Sequence, residues 1–168
     1  MDLRQAVIGI VALLAIAPVS TPVWADNFET RLAPSPLTDG TRINITGEGR
    51  AKASLDGQKL TVSGNFHGLV SPATTAELYD GLGIAIPGPK AFDLTVTQAT
   101  SGTISASLML SAKQAVALRA GHFYVQINSQ KAPDGNLTGW LLPPHPFAGE
   151  DVPVAGAGFL PQLDVTQK

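Results

Sequence analysis

Three histidines, His67, His122 and His145, and a small set of carboxylates are the groups in this chain that could ligate a metal or move a proton. Imidazole ligation needs two or more rings whose nitrogens converge, and these three fall on separate segments with no short spacing between them. Glu77 and Asp80 could offer oxygen ligands to calcium beside Gly81 and Gly83, but the alternating acidic pattern of a calcium loop is missing. Acyl transfer needs a nucleophile, a base and an orienting acid. No Gly-x-Ser-x-Gly elbow occurs, and Ser63 and Ser101 read as strand-end or turn residues. The acids are few and mostly in turns, which argues against a paired-carboxylate glycosidase. Gly81-Leu82-Gly83 lacks the third glycine and following helix of a phosphate loop, and Pro87-Gly88-Pro89 is a turn. There is no cysteine, so disulfides, thiolate zinc sites and thiol nucleophiles are excluded together. The reading is a protein that is not an enzyme and holds no cofactor.

Aromatic residues offer a different kind of chemistry. Trp140 has the opposite parity to Leu137, Gly139 and Leu141, so it can project outward from a strand, next to Tyr124 across a hairpin. That pair would make a contact surface for a partner or a sugar; alternatively Trp140 packs beneath the Pro-rich segment that follows. Asn44-Ile45-Thr46 and Asn136-Leu137-Thr138 have the pattern of glycosylation acceptors.

The elements that must position these residues follow from composition and periodicity. The 168 residues carry 11 Lys+Arg against 13 Asp+Glu, a formal net charge of -2, which excludes an electrostatic nucleic-acid binder. With 44% hydrophobic and 14% charged residues the chain is folded rather than disordered. Residues 1–25 read as a secretory signal peptide: Arg4, the apolar stretch Ala6 to Val19, then Val23-Trp24-Ala25 as a cleavage site, leaving Asp26 as the mature N-terminus. The stretch is shorter than the ~20 apolar residues of a spanning helix, which argues against an uncleaved anchor. Secretion without cysteine fits a bacterial periplasm or exterior.

Residues 26–41 are taken as an N-terminal segment with a short strand at Phe28–Ala33, and residues 42–142 as the domain. Arg42 to Thr46 alternates as a strand would. Asp56-Gly57 is a hairpin turn; pairing Leu55 with Gln58 sets Ala53 opposite Leu60 and Ala51 opposite Val62 on one face. Strands are predicted from Phe92 and from Thr103, joined by a short connection. Ser111 and Gln114 have capping-box spacing for a short helix that Gly121 ends. A strand from Phe123 to Asn128 then turns at Pro133-Asp134-Gly135 into a last strand, Leu137 to Leu142. Residues 143–168 form a Pro/Gly-rich tail. Short strands at regular spacing predict an all-β fold, an antiparallel Ig-like, Greek-key β-sandwich with one short helix.

The string Gly121-His122-Phe123-Tyr124-Val125-Gln126-Ile127-Asn128, followed by Pro133-Asp134-Gly135 and Gly139-Trp140-Leu141, resembles the closing motif of the CHRD domain, the repeat recognised in chordin. Gly64-Asn65-Phe66-His67-Gly68-Leu69 resembles the family's early strand, and Leu110 to Gly121 its helix. The family's Ala-His-Ile-His-x-Gly is replaced here by Ala76-Glu77-Leu78-Tyr79-Asp80-Gly81, its closing-strand His by Asn128, and its Glu and Arg near the final Gly by Asn136 and Thr138. The resemblance implies that Glu77, Tyr79, Asn128, Asn136 and Thr138 stand where the family has a polar cluster. They form a binding patch or are ordinary solvated strand-end residues. It also implies extracytoplasmic recognition of a protein or cell-envelope partner, without nucleic acid or a membrane span. A second reading is a periplasmic metal-binding or redox-associated protein, weakened by the loss of the aligned histidines.

Overall fold

The structure, a computed structural model, describes residues 25–144. Residues 1–24, all but the last residue of the expected signal peptide, and most of the Pro/Gly-rich tail, His145 included, lie outside the described residues. Eight strands and one helix follow in the order β1 (Asp26–Pro34), β2 (Glu48–Asp56), β3 (Lys59–His67), β4 (Ala73–Asp80), β5 (Lys90–Val96), β6 (Gly102–Met109), α1 (Ala112–Arg119), β7 (Phe123–Ser129) and β8 (Ala132–Trp140). They close into an antiparallel barrel ordered β1-β2-β3-β6-β5-β4-β7-β8.

The sandwich expected from the sequence is therefore corrected. Two strands are each shared between what would otherwise be separate sheets. β5 pairs with β4 through Phe92 to Leu94 and with β6 through Thr95 and Val96. β1 pairs with β2 along Asp26 to Leu32, then with β8 through Ala33 and Pro34. Glu29 and Leu142 bond in the same β1–β8 register, 2.9 and 3.2 Å. Closure leaves no unpaired edge, and the same in–out alternation serves a barrel and a sandwich, so periodicity does not separate them.

Alternation fills the interior. Phe28 and Leu32 from β1, Ala51, Ala53 and Leu55 from β2, Leu60, Val62 and Phe66 from β3, Leu78 from β4, and Val125 and Ile127 from β7 are buried in one cluster. Each large aliphatic removed from water contributes about 1.5–3 kcal/mol. The outer faces carry Arg31, Arg50, Lys52, Thr61 and Asn65, all exposed, the reverse of a membrane-spanning barrel, whose outer band is apolar. No described helix is long and apolar enough to cross a membrane.

Three local expectations shift. The Asp56-Gly57 hairpin forms and keeps the predicted face, but Asp56 pairs with Lys59, so Leu55 faces Leu60 and Ala53 faces Val62. Gly57 takes the first central position at φ 60 with Gln58 after it, the arrangement of a II′ turn. Arg42 to Thr46 is not a strand: Arg42 and Ile45 donate backward to Thr38 and Thr41 carbonyls, a helical turn stabilised by the Thr41 hydroxyl on the Thr38 amide, 2.9 Å. The last hairpin turns at Gln130-Lys131, and Pro133-Asp134-Gly135 lies within β8 where the register slips between Ile127 and Ser129. The helix forms with its capping box complete. Ala115 and Leu118 are its buried residues, closing one end of the barrel.

Candidate functional site

β4, β7 and β8 are neighbours, and their inward residues are Ala76 and Leu78, Val125 and Ile127, and Leu137 and Gly139. Period two then sends Thr75, Glu77 and Tyr79, Tyr124, Gln126 and Asn128, and Thr138 and Trp140 to the outer face. Register aligns them into rows. Tyr79 faces Tyr124, which faces Trp140; Glu77 faces Gln126, which faces Thr138; Thr75 faces Asn128.

The first row is an aromatic stack. The Tyr79 and Tyr124 centroids are 4.9 Å apart with planes 9° from parallel, and Tyr124 and Trp140 are 4.6 Å apart at 39°. Tyr124 is covered on both ring faces and only 7% exposed. The row therefore presents ring edges outward, and its faces are spent on one another.

Glu77 and Gln126 of the second row and Thr75 and Asn128 of the third form one hydrogen-bond network around Glu77, whose side chain is 13% exposed. The Tyr79 hydroxyl donates to Glu77 Oε2 at 2.6 Å, and Asn128 Nδ2 donates to the same oxygen at 3.4 Å and to Thr75 Oγ1 at 2.8 Å. Gln126 Nε2 donates to Asn128 Oδ1 at 2.9 Å. The Lys90 ammonium stands between two carboxylates, 3.7 Å from Glu77 Oε1 and 2.8 Å from Asp93 Oδ1. Burial first, then the bond to the Glu77 carboxylate, holds the Tyr79 phenol well above the ordinary tyrosine range. Burial also raises Tyr124, against an opposing pull from the Gly88 backbone amide. The hydrogen bond to Asp93 raises Lys90. The raised phenol keeps Tyr79 protonated as the donor to Glu77, and Lys90 keeps its charge between the two carboxylates.

Six of the seven residues singled out from the sequence, Glu77, Tyr79, Tyr124, Asn128, Thr138 and Trp140, meet on this face. Asn136 does not. It is fully buried, accepts from the Ser129 hydroxyl at 3.0 Å and donates to the Thr46 carbonyl at 2.6 Å, fastening the loop before β2 to β8. Thr75, Gln126, Lys90 and Asp93 were missed. Parity was available for Thr75 and Gln126, which are two from Glu77 and from Tyr124 and Asn128 respectively; Lys90 and Asp93 arrive only by the pairing of β5 with β4. His67 stands elsewhere, 3.4 Å from Glu48 at the opposite end of the barrel, and His122 precedes β7. Among the described residues no three His, Asp or Glu side chains gather as a metal-ligand set, so the metal-binding or redox reading gains no support from the geometry.

A family model, the CHRD domain, matches residues 29–141. No curated protein and no solved structure matches the chain.

Proposed function

The chain belongs to the CHRD domain family, and from that premise we propose that it is a non-catalytic extracytoplasmic binding module whose recognition face is the outer surface of β4, β7 and β8. One observation carries the reading. Three of the positions that stand where the family has its polar cluster, Glu77, Tyr79 and Asn128, are joined in a preorganised network, with the Lys90 ammonium 3.7 Å from Glu77. Preorganised side chains lose little freedom on binding, which favours affinity. The stacked rings supply rigid aromatic surface beside fixed polar groups, the composition enriched at interface centres.

A photo-crosslinking residue in place of Thr138, on the recognition face, and separately in place of Thr61, on the opposite outer face, tests this in the compartment where the chain resides. A discrete crosslinked species from position 138 alone is the expected result. No species from 138, or the same species from 61, refutes the assignment.

A further inference from the structure

The β4–β5 connection carries a feature the recognition face does not use. From Leu82 to Pro89 eight consecutive residues, Leu-Gly-Ile-Ala-Ile-Pro-Gly-Pro, have no polar side chain. Leu82 is 74% exposed, Ile84 44% and Ile86 53%. The segment is shaped, not slack. Leu82 N–H donates to the Ile86 carbonyl and Ile86 N–H to the Gly83 carbonyl, both 3.1 Å, around Ala85 at φ 62. A non-glycine residue persists in that region only where its surroundings hold it there. Its base is fixed as well: Gly81 N–H donates to the His122 carbonyl at 2.9 Å, and Asp80 N–H to the Pro89 carbonyl at 3.0 Å. A Cβ at Gly81 would lie 2.8 Å from Trp140 Cη2, so the aromatic row abuts the base of the tip.

We propose that this tip inserts into the acyl–headgroup boundary of a lipid bilayer and seats that end of the barrel on a membrane surface. Three observations choose lipid over protein. Protein interfaces carry roughly one hydrogen bond per 100–200 Å², and eight residues without a polar side chain offer none from side chains. Behind the aliphatic tip stand the partly exposed Trp140 and Tyr79, stacked on either side of Tyr124, the layering of aliphatic residues and aromatic belt found at membrane interfaces. Finally, the chain enters the barrel at this end. Ile84 packs where a Cβ at Gly121 would fall, beside Leu142; Leu142 bonds Glu29, and Arg119 pairs with Asp26 at 2.7 Å. The apolar stretch Ala6 to Val19 stops six positions before Ala25, at most about 20 Å of extended chain. A bilayer in contact with that stretch would lie nearer to this end than to the opposite one.

The test uses the full chain as its host produces it, with Trp24→Phe so that Trp140 is the sole indole reporter, and vesicles of phosphatidylcholine with a minor fraction of phosphatidylglycerol. Co-sedimentation and the Trp140 emission maximum are read for the parent and for Leu82→Ser/Ile84→Ser/Ile86→Ser. Ile43→Ser serves as control: it is exposed at the opposite barrel end, so its loss changes surface apolarity without touching the tip. The expected result is a blue-shifted indole and vesicle binding in the parent and the control, weakened about a hundredfold in the triple variant, with the urea midpoint unchanged. No vesicle binding by the parent, equal binding by the triple variant, or loss in the control overturns the proposal. So does reversible self-association of the parent without vesicles that the triple variant abolishes, which would assign the tip to a second copy of the chain.

Discussion

Replacing Tyr79 by Phe isolates the central bond of the recognition face. The ring and its stack on Tyr124 are kept, and one O–H···O bond of 2.6 Å to Glu77 Oε2 is lost. A hydrogen bond to an ionised partner contributes about 1.5–3 kcal/mol. Glu77 is largely covered but Tyr79 is only half-buried, and solvent screening lowers the figure to about 1–2 kcal/mol. With a urea m-value near ~2 kcal/mol/M for a domain of this size, the midpoint falls by roughly 0.5–1 M at constant slope. A double-mutant cycle with Glu77→Gln separates the bond from the burial of the ring, and a coupling of about 1 kcal/mol is expected. Urea unfolding followed by circular dichroism supplies all four stabilities. A midpoint unchanged by Tyr79→Phe, or zero coupling in the cycle, would show that water satisfies Glu77 as well as the phenol does. The network would then not be preorganised, and the proposed recognition face would lose its main support.

Two further outcomes follow from the same geometry. The chain contains two tyrosines, Tyr79 and Tyr124, both with pKa raised chiefly by burial, so ultraviolet titration should show no phenolate while the native fold persists past pH ~10. The unfolded chain ionises first, so stability present below pH ~10 declines as pH rises through the folded values; a native phenol titrating near 10 would contradict the burial of the row. Gly139→Val should break the β1–β8 seam, because a Cβ there falls 2.6 Å from the Arg31 carbonyl oxygen and 2.6 Å from Thr30 Oγ1. Overpacking of about 1–3 kcal/mol or more is expected, read as a lowered thermal midpoint, and a variant as stable as the parent would mean that β1 does not close the barrel.

How much was legible can be seen strand by strand. Alternation identified the inward faces of β2, β3, β6 and β7 because burial on one side of a strand selects apolar residues every second position. Ser111 and Gln114 announced the helix because capping is local chemistry within one turn. The strand order and the closure were not legible, since they rest on β5 and β1 each dividing its hydrogen bonds between two partners remote in sequence. Likewise the register of the first hairpin depended on whether Asp56-Gly57 or Gly57-Gln58 occupied the turn, and both choices bury the same residues.

The site divides along the same line. The sequence by itself determined that Glu77 and Tyr79 share a face, that Tyr124 and Asn128 share another, and that no thiolate chemistry is available, because parity and residue type are properties of a single segment. Only the tertiary structure decided that these faces are one face, that Lys90 and Asp93 border it, and that Asn136 is a buried fastening for Thr46 rather than a neighbour of Asn128. Those facts depend on which strands lie side by side and on what loop covers them. Such contacts are set by the net free energy of closing the whole barrel, a quantity that no segment holds alone.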